Sequence, residues 1–219
     1  MSAVRELEIL HRDEDLLVVD KPPGLLVVEA PGRTGATLVE LASKQLGERV
    51  FAVHRLDEDT SGVLVLARSE AGREGLDALF REHRAQRVYL ALATSVPNPR
   101  AGRIESWLQV CDDGIVRSSS RPGKGERAVT EYRVRERRGP DALIECRLET
   151  GRRNQIRVHL AELGCPIVGD RKYGWRARRG GGPKVKRPLL HAWRIAFAHP
   201  VHGTQVEVEA VPPEQILRP

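Results

Sequence analysis

The sequence contains few of the residues on which disulfide frameworks, metal clusters and aromatic cores depend. Its three cysteines, Cys111, Cys146 and Cys165, are far apart and odd in number, and none lies in a Cys-x-x-Cys motif or at zinc-ligand spacing from a histidine. We therefore expect reduced thiols, a cytoplasmic protein and no metal. With only three residues each of Trp, Tyr and Phe, the core should consist of Leu, Val, Ile and Ala.

Long apolar runs and a leader sequence are also missing. No apolar run reaches the ~20 residues of a transmembrane helix. The acidic residues Glu6, Glu8, Asp13 and Glu14 are not typical of a signal or transit peptide. We therefore expect no membrane partner.

Basic residues exceed acidic ones, 36 Lys and Arg against 30 Asp and Glu, for a net charge of +6. This balance suits a polyanionic partner, although the prevalence of Arg over Lys is also typical of a basic protein from an Arg-rich proteome.

Short apolar runs outnumber helical patterns and often follow one another, which predicts an α+β fold with a mainly antiparallel or mixed sheet. We expect one domain over residues 1–219. Residues 118–127 are predicted to form an exposed hairpin or loop, and the glycine-rich segment 171–188 a mobile loop. Helices are predicted at 37–47, 69–84 and 153–163, and strands at 7–10, 16–19, 51–53, 63–67, 87–94, 104–108, 128–134, 142–148, 189–197 and 205–211.

The segment His54-Arg55-Leu56-Asp57-Glu58-Asp59-Thr60-Ser61-Gly62 places an acid between two apolar runs. A loop aspartate commonly makes an Asx turn or a helix cap, so Asp57 alone also fits a structural role. Its acidic neighbours resemble the nucleophile turn of an Mg²⁺-dependent aspartyl phosphotransferase. That chemistry needs further acids near the strand ends, and the sequence offers no obvious later acidic pair.

Two further segments contain candidate functional residues. Arg152, Arg153 and Arg157 lie at the start of a predicted helix, where the helix dipole disfavours cations. They indicate a nearby anion, either a phosphate or a buried carboxylate, unless they form a solvated basic face. Tyr89 lies in an apolar strand and is either a core residue or a flat surface for a base, with a phenol that can move a proton.

Together these segments resemble the RluA family of RNA pseudouridine synthases. HRLDEDTSG around Asp57 is similar to the signature of the family. Lys21-Pro22-Pro23-Gly24-Leu25-Leu26-Val27 resembles its upstream motif, and Arg87-Val88-Tyr89-Leu90-Ala91 resembles its tyrosine motif. Residues 150–160, 164–170 and 190–192 resemble the later motifs, in family order. Asn154 stands where the family commonly has His, and Arg87 where Lys is frequent.

The resemblance implies a curved, mainly antiparallel mixed sheet in two halves with a central catalytic cleft, the pseudouridine synthase fold. It implies isomerisation of uridine to pseudouridine in structured ribosomal or transfer RNA, without a cofactor or a metal. It also implies a single catalytic domain without the S4 RNA-binding domain of many relatives. We expect a monomer.

The resemblance also implies roles for individual residues. Asp57 is the catalytic carboxylate, acting by covalent attack or by taking a proton from C2′, and Arg157 is its salt-bridge partner. Tyr89 packs on the uracil and moves a proton at C5. Ile156 forms part of the apolar wall of the pocket, and Arg55 fills the space that the flipped base leaves. His54 and Arg152 are further candidates for substrate binding.

RNA affinity is expected from the basic segment Arg171-Lys172-Tyr173-Gly174-Trp175-Arg176-Ala177-Arg178-Arg179, unless it is simply a solvated loop. A second function also fits the sequence, namely an RNA chaperone or ribosome-assembly factor that has lost catalysis.

Overall fold

The computed structural model describes residues 6–177 and 185–217 of the chain. Its elements in chain order are β1 (Glu8–Arg12), β2 (Leu16–Lys21), α1 (Leu38–Leu46), β3 (Phe51–Ala52), β4 (Ser61–Ala67), α2 (Glu70–Arg81), β5 (Gln86–Ala93), β6 (Ala101–Val110), β7 (Val116–Ser119), β8 (Glu126–Arg138), β9 (Asp141–Leu148), α3 (Gln155–Glu162), a 3₁₀ helix (Arg171–Tyr173), β10 (Leu190–Ala198), β11 (Gln205–Glu209) and α4 (Glu214–Leu217).

The described residues divide into two compact units. The first contains residues up to 86 together with 192–211, and the second contains 87–191 together with the residues from 212 onward. Each unit combines an antiparallel sheet with helices, so the predicted α+β fold with a mainly antiparallel sheet is confirmed. The expectation of one domain over residues 1–219 stays a prediction.

In the first unit, β4 is the central strand. It pairs antiparallel with β2 and with the short β3, and β2 also pairs with β1. All seven residues of β4 are buried, which explains why this strand is a continuous apolar run rather than an alternating one. The core on one face of this sheet is formed by Leu16, Val18, Val63, Val65, Ala67, Leu76, Leu79, Ala85, Ile195, Phe197, Val206, Val208 and Ala210.

The helices of the first unit begin at side-chain caps. Thr37 and Glu40 form a reciprocal capping box at the start of α1, and Gly47 ends that helix in the left-handed conformation. The Ser69 hydroxyl accepts from the Gly72 backbone N–H at the start of α2. The predicted start of α2 after Ser69 is therefore correct.

In the second unit, five strands form an antiparallel sheet in the order β5-β9-β8-β6-β7. Helix α3 packs on it through Val158, which contacts a cluster of Leu108, Val116 and Ala128. The sequence did not predict β7, because its residues Val-Arg-Ser-Ser lack an apolar pattern. This segment is a strand because it pairs with β6. Only the buried Val116 joins the core.

Buried polar side chains join α3 to the sheet. The Gln155 amide donates to the Val129 carbonyl and to the Thr130 hydroxyl, at 2.9 Å in each case. The two ring nitrogens of His159 lie 2.8 Å from the Thr130 hydroxyl and 3.0 Å from the Ser106 hydroxyl. Because each buried group has a partner, the network fixes the position of the helix without the cost of unsatisfied polar atoms.

The buried His159 makes stability depend on pH. Burial lowers the pKa of His159 to about 4, against about 6.5 in an unfolded chain. Between these values the unfolded chain binds a proton that the folded chain does not, so folding stability falls as the pH is lowered from about 6.5 towards 4.

This titration predicts a difference between two proteins. Between pH 7 and pH 4.5, the free energy of unfolding of the wild-type protein should fall by about 2 kcal/mol more than that of His159→Gln, as measured by urea unfolding.

The comparison between variants is needed because Asp20 acts in the opposite direction. Burial, assisted by the charge of Glu8, raises the pKa of Asp20 to about 6, so its contribution to stability falls as the pH rises towards 6. This contribution is present in both proteins and cancels in the difference. An equal loss of stability in both proteins would show that His159 does not titrate as described.

Candidate active site

Asp57 lies in the loop between β3 and β4, which is held at both ends. Leu56, directly before Asp57, and Thr60, three residues after it, are buried, whereas Asp57 itself is partly buried. The Thr60 backbone N–H donates to the Asp57 carbonyl at 3.0 Å and closes a turn. The loop therefore has a fixed backbone from which the carboxylate projects.

A buried lysine holds this loop in place through hydrogen bonds. Lys21, at the end of β2, is 0% exposed, and its Nζ donates to the Glu58 and Pro22 carbonyl oxygens at 2.8 Å. The Gly24 backbone N–H also donates to the Glu58 carbonyl, and Arg33 pairs with the Glu58 carboxylate. The upstream Lys-Pro-Pro-Gly motif thus acts structurally, because it fixes the residue next to Asp57.

Gly62, the last residue of the motif, is required by close backbone packing. Its φ is +111°, and a Cβ at this position would collide with the Ala192 backbone carbonyl on β10. Only glycine fits a position that combines this dihedral with this approach.

The two residues preceding Leu56 have different environments. The His54 ring stacks on Phe80 with 4.2 Å between centroids, and its Nε2 accepts from the Val65 backbone N–H at 3.0 Å. A ring nitrogen that accepts from an amide carries no proton, so the neutral ring is protonated on Nδ1. Arg55 is exposed.

Tyr89 lies in the second unit, in β5 opposite Cys146 of β9. Tyr89 is 8% exposed, and the neighbouring Cys146 thiol is fully buried, which raises the pKa of that thiol well above its usual range. The residues before and after Tyr89 also pair with β9, so the backbone at Tyr89 is fixed.

Arg157 lies in the first turn of α3 and forms a bidentate ion pair with Asp170. Its Nε and Nη2 donate to the two carboxylate oxygens of Asp170 at 2.6 and 2.9 Å. Asp170 is 1% exposed, so the pair is screened little by solvent. The arginines at this helix start predicted an anion of one of two kinds, and Asp170 is the buried carboxylate.

Asn154 connects Arg157 to the 3₁₀ helix. Its Oδ1 accepts from Arg157 Nη1, and its Nδ2 donates to the Tyr173 hydroxyl, both at 2.9 Å. The Tyr173 ring lies 5.0 Å from the Arg157 guanidinium carbon, a cation–π distance. Asn154 adopts a left-handed conformation with φ of 56° and does not cap α3 with its side chain, which is used for these contacts instead.

The other residues proposed from this segment lie beside Arg157 on α3 or just before it. Ile156 is buried. Arg152 pairs with the exposed Glu126 at 2.9 Å, and its Nε donates to the Arg127 carbonyl. Its charge is therefore partly offset, and it holds the residues before α3 against the start of β8.

The basic segment that follows Asp170 begins with ordered structure. Arg171 is exposed in the 3₁₀ helix, Lys172 donates to the Gly114 carbonyl at 2.9 Å, and Trp175 is buried. Arg176 is exposed and donates to the Trp175 carbonyl. Arg178 and Arg179 lie outside the described residues, and the predicted mobility of 171–188 stays a prediction.

One group of side chains in the first unit has donor atoms at metal-binding distance. These atoms of Asp15, His199 and His202 lie within 4.8 Å of one another. However, His199 Nδ1 accepts from the Val201 and His202 backbone N–H groups, so the neutral ring carries its proton on Nε2, 3.3 Å from Asp13. A metal would have to displace this proton, and the group is better described as an Asp–His network.

The three cysteines form no disulfide in this structure. None of the helices in the described part of the chain has the length and apolarity of a membrane span.

The sequence alone gave no role to four residues that make these contacts, Asp170, Asn154, Tyr173 and Lys21. All of them except Tyr173 lie in segments that resemble motifs of the family. The available signal was the arginine-rich helix start, which needs a counter-charge. Which carboxylate supplies it depends on the 3₁₀ helix, and sequence spacing alone does not reveal that.

The ion pair between Arg157 and Asp170 predicts a stability difference. Asp170→Asn should lower the free energy of unfolding by roughly 3 kcal/mol, because it breaks a buried bidentate ion pair by removing the charge of one partner. Urea unfolding measures this change. The matched control is Glu126→Gln, which removes the exposed pair with Arg152 and should cost less than about 1 kcal/mol. Equal losses in the two variants would contradict the structural role of Asp170.

Comparison with known proteins agrees with this geometry. A family model described as RNA pseudouridylate synthase matches residues 15–162. The chain is 38% identical to the ribosomal large subunit pseudouridine synthase D of Zymomonas mobilis, over 96% of this chain and 70% of that protein. It is 37% identical to the protein of the same name from Xanthomonas campestris, over 97% of this chain and 68% of that protein.

Two solved structures have the same fold. Human RNA Pseudouridylate Synthase Domain Containing 4 aligns with a TM-score of 0.76 and 29% identity, over 96% of this chain and 90% of that one. Human RNA Pseudouridylate Synthase Domain Containing 1 aligns with a TM-score of 0.79 and 27% identity, over 97% and 86% of the two chains. The chain therefore belongs to the RNA pseudouridylate synthase family and is an RNA pseudouridine synthase.

Proposed function

We propose that this enzyme isomerises specific uridines of large-subunit ribosomal RNA, with Asp57 as the essential carboxylate and without a cofactor or metal. The observation that carries the proposal is the loop around Asp57. Its backbone is fixed by the buried Lys21 ammonium and by the buried Leu56 and Thr60, while Asp57 is only partly buried. Such preorganisation is typical of a group that must meet a substrate atom at a defined position.

The RNA class is inferred from the relatives. The proteins from Zymomonas mobilis and Xanthomonas campestris are both named for the ribosomal large subunit, and each aligns with nearly the whole of this chain. This favours ribosomal over transfer RNA as the substrate.

The proposed reaction replaces one bond at C1′ with another and otherwise consists of proton transfers. The N1–C1′ bond breaks, the uracil turns over, and C5 bonds to C1′. C5 then loses its proton and N1 gains one, so atoms and electrons balance within the nucleotide. A carboxylate and a phenol can provide these steps, because no electron is gained or lost.

Asp57 serves this reaction in one of two ways, either by covalent attack on the nucleotide or by taking a proton from C2′. Both routes need the ionised carboxylate, which a nearby guanidinium favours. In the proposal this is Arg157. Asp170 and Asn154 hold this guanidinium in a fixed orientation through three N–H groups.

The remaining residues bind and orient the nucleotide. In the proposal the uracil packs on Tyr89, whose hydroxyl relays the C5 proton by accepting it while passing its own proton on, and Ile156 forms part of the apolar wall. A base inside helical RNA must flip out to reach such a pocket, and the exposed Arg55 fills the vacated space. The stacked and hydrogen-bonded His54 acts as a positioning residue for the loop.

Phosphate contacts in the proposal come from the basic segment. Arg171 and Arg176 are exposed, and Lys172 lies beside them, so these three side chains are accessible to a polyanion. Arg178 and Arg179 continue the segment in the sequence. The resulting binding should weaken steeply with salt.

The role of Asp57 predicts the effect of a near-isosteric substitution. Asp57→Asn should reduce tritium release from ribosomal RNA labelled at C5 of uridine by on the order of 1000-fold or more, because neither route works with a neutral amide. RNA affinity should change little, because the substitution preserves the size of the side chain and the loop is held by backbone contacts. The matched control is Glu58→Gln, which removes only the surface pair with Arg33 and should leave turnover near that of wild type.

Several outcomes would contradict the proposal. Normal turnover by Asp57→Asn would remove the aspartate from catalysis. Tritium release from transfer RNA but not ribosomal RNA would overturn the proposed substrate, and loss of activity with a metal chelator would overturn the proposed independence from metals. Salt-sensitive RNA binding with no isomerisation of any cellular RNA would favour a chaperone instead.

Tyr89 predicts a separation of binding from chemistry. Tyr89→Phe keeps the ring that packs on the base but removes the hydroxyl, so RNA affinity should be retained while isomerisation is lost. Binding is measured by filter retention, and turnover by tritium release. A variant with wild-type turnover would contradict the proton-transfer role.

A further inference from the structure

Arg87, at the start of β5, has a buried guanidinium without a partner. Its Nε and Nη2 are buried and make no hydrogen bond, and no ion pair to it is found among residues 6–177 and 185–217. Its side chain as a whole is partly exposed. The remaining segments, 1–5, 178–184 and 218–219, contain no Asp or Glu.

An unpaired buried cation is unfavourable, and native structures rarely contain one without a reason. Burial lowers the pKa of Arg87, Tyr89 raises it, and the charge of Arg152 lowers it again. The other functional arginine of this unit, Arg157, has Asp170 as its counter-charge, whereas Arg87 has none. The difference indicates that the counter-charge of Arg87 arrives with a ligand.

Two neighbours, Gly151 and Tyr89, define the surroundings of Arg87. Gly151 packs directly against the guanidinium, since a Cβ there would collide with Nη1 and lie 3.3 Å from Cζ. Arg87 and Tyr89 are two residues apart on one strand, so their side chains leave the same face of the sheet, about 6.6 Å apart along it. An anion held by Arg87 would thus lie beside whatever packs on Tyr89.

We propose that Arg87 binds a phosphate group of the RNA, next to the nucleotide whose base packs on Tyr89. This inference rests on the proposed function, because it places the substrate nucleotide at Tyr89. Phosphate fits better than a neutral uracil carbonyl, since it supplies the missing negative charge and accepts two parallel N–H bonds from one guanidinium. Moving towards the phosphate breaks no hydrogen bond, so the side chain can leave its position at Gly151.

The test measures the affinity for a fluorescent ribosomal RNA fragment at several salt concentrations, with the whole protein. Arg87→Gln should raise Kd by roughly tenfold or more, and should reduce the slope of log Kd against log salt by about 0.7 to 0.9, the value for one phosphate contact. Its resistance to urea should equal or exceed that of wild type, because the substitution removes an unpaired buried charge. The control is Arg194→Gln, whose guanidinium already lies near two carboxylates, Glu207 and Glu209, and which should change neither quantity appreciably.

A second variant tests the position of the guanidinium without changing the charge. Gly151→Ala should displace the flexible end of Arg87 and weaken RNA binding, and an affinity equal to that of wild type would overturn the proposal.

Two results with the first variant would also overturn the proposal. A weakened affinity of Arg87→Gln with an unchanged salt slope would indicate a neutral group instead of a phosphate. Loss of stability with unchanged affinity would show a structural role. Because these readouts are binding and stability, they remain decisive if wild-type protein fails to isomerise uridine, which would refute the proposed function instead.

Discussion

The ion pair between Arg157 and Asp170 is the interaction on which the functional surface of the second unit depends. A guanidinium at the start of a helix is opposed by the helix dipole, and a nearly buried one also loses hydration. The bidentate contact with Asp170 offsets both costs and fixes the orientation of Arg157. Asn154 and Tyr173 then join α3 to the 3₁₀ helix through the same guanidinium. The polar contacts of these two short elements therefore converge on one pair of charges.

The first unit also contains a buried charge that holds a loop in place. The Lys21 ammonium donates hydrogen bonds to the Pro22 and Glu58 carbonyl oxygens, and the second of these contacts fixes the Asp57 loop. Both units thus hold a side chain proposed for catalysis on rigid, buried polar supports. Arg87 differs, because its buried guanidinium has no such support, and this contrast is the basis for assigning it a ligand.

Local sequence signals predicted the parts of this structure that depend on neighbouring residues. Ser69 marks the start of α2, Gly164 follows the end of α3, and the apolar run after Gly62 is the central strand of the first unit. The sequence motifs also led to the family to which the chain belongs. Contacts between distant segments could not be predicted in this way. The Asp170 carboxylate reaches Arg157 across a separate segment, β7 forms only because β6 pairs with it, and the cost of burying Arg87 exists only in the folded sheet.

The central claim is that the Asp57 carboxylate isomerises uridines in large-subunit ribosomal RNA. The most direct measurement is nucleotide-resolution chemical mapping of pseudouridine in this RNA, from cells that lack the gene and from the same cells expressing either wild-type protein or Asp57→Asn at equal levels. The account predicts that deletion removes pseudouridine from specific positions, and that the wild-type protein alone restores it. Restoration by Asp57→Asn, or an unchanged pseudouridine pattern after deletion, would contradict the account.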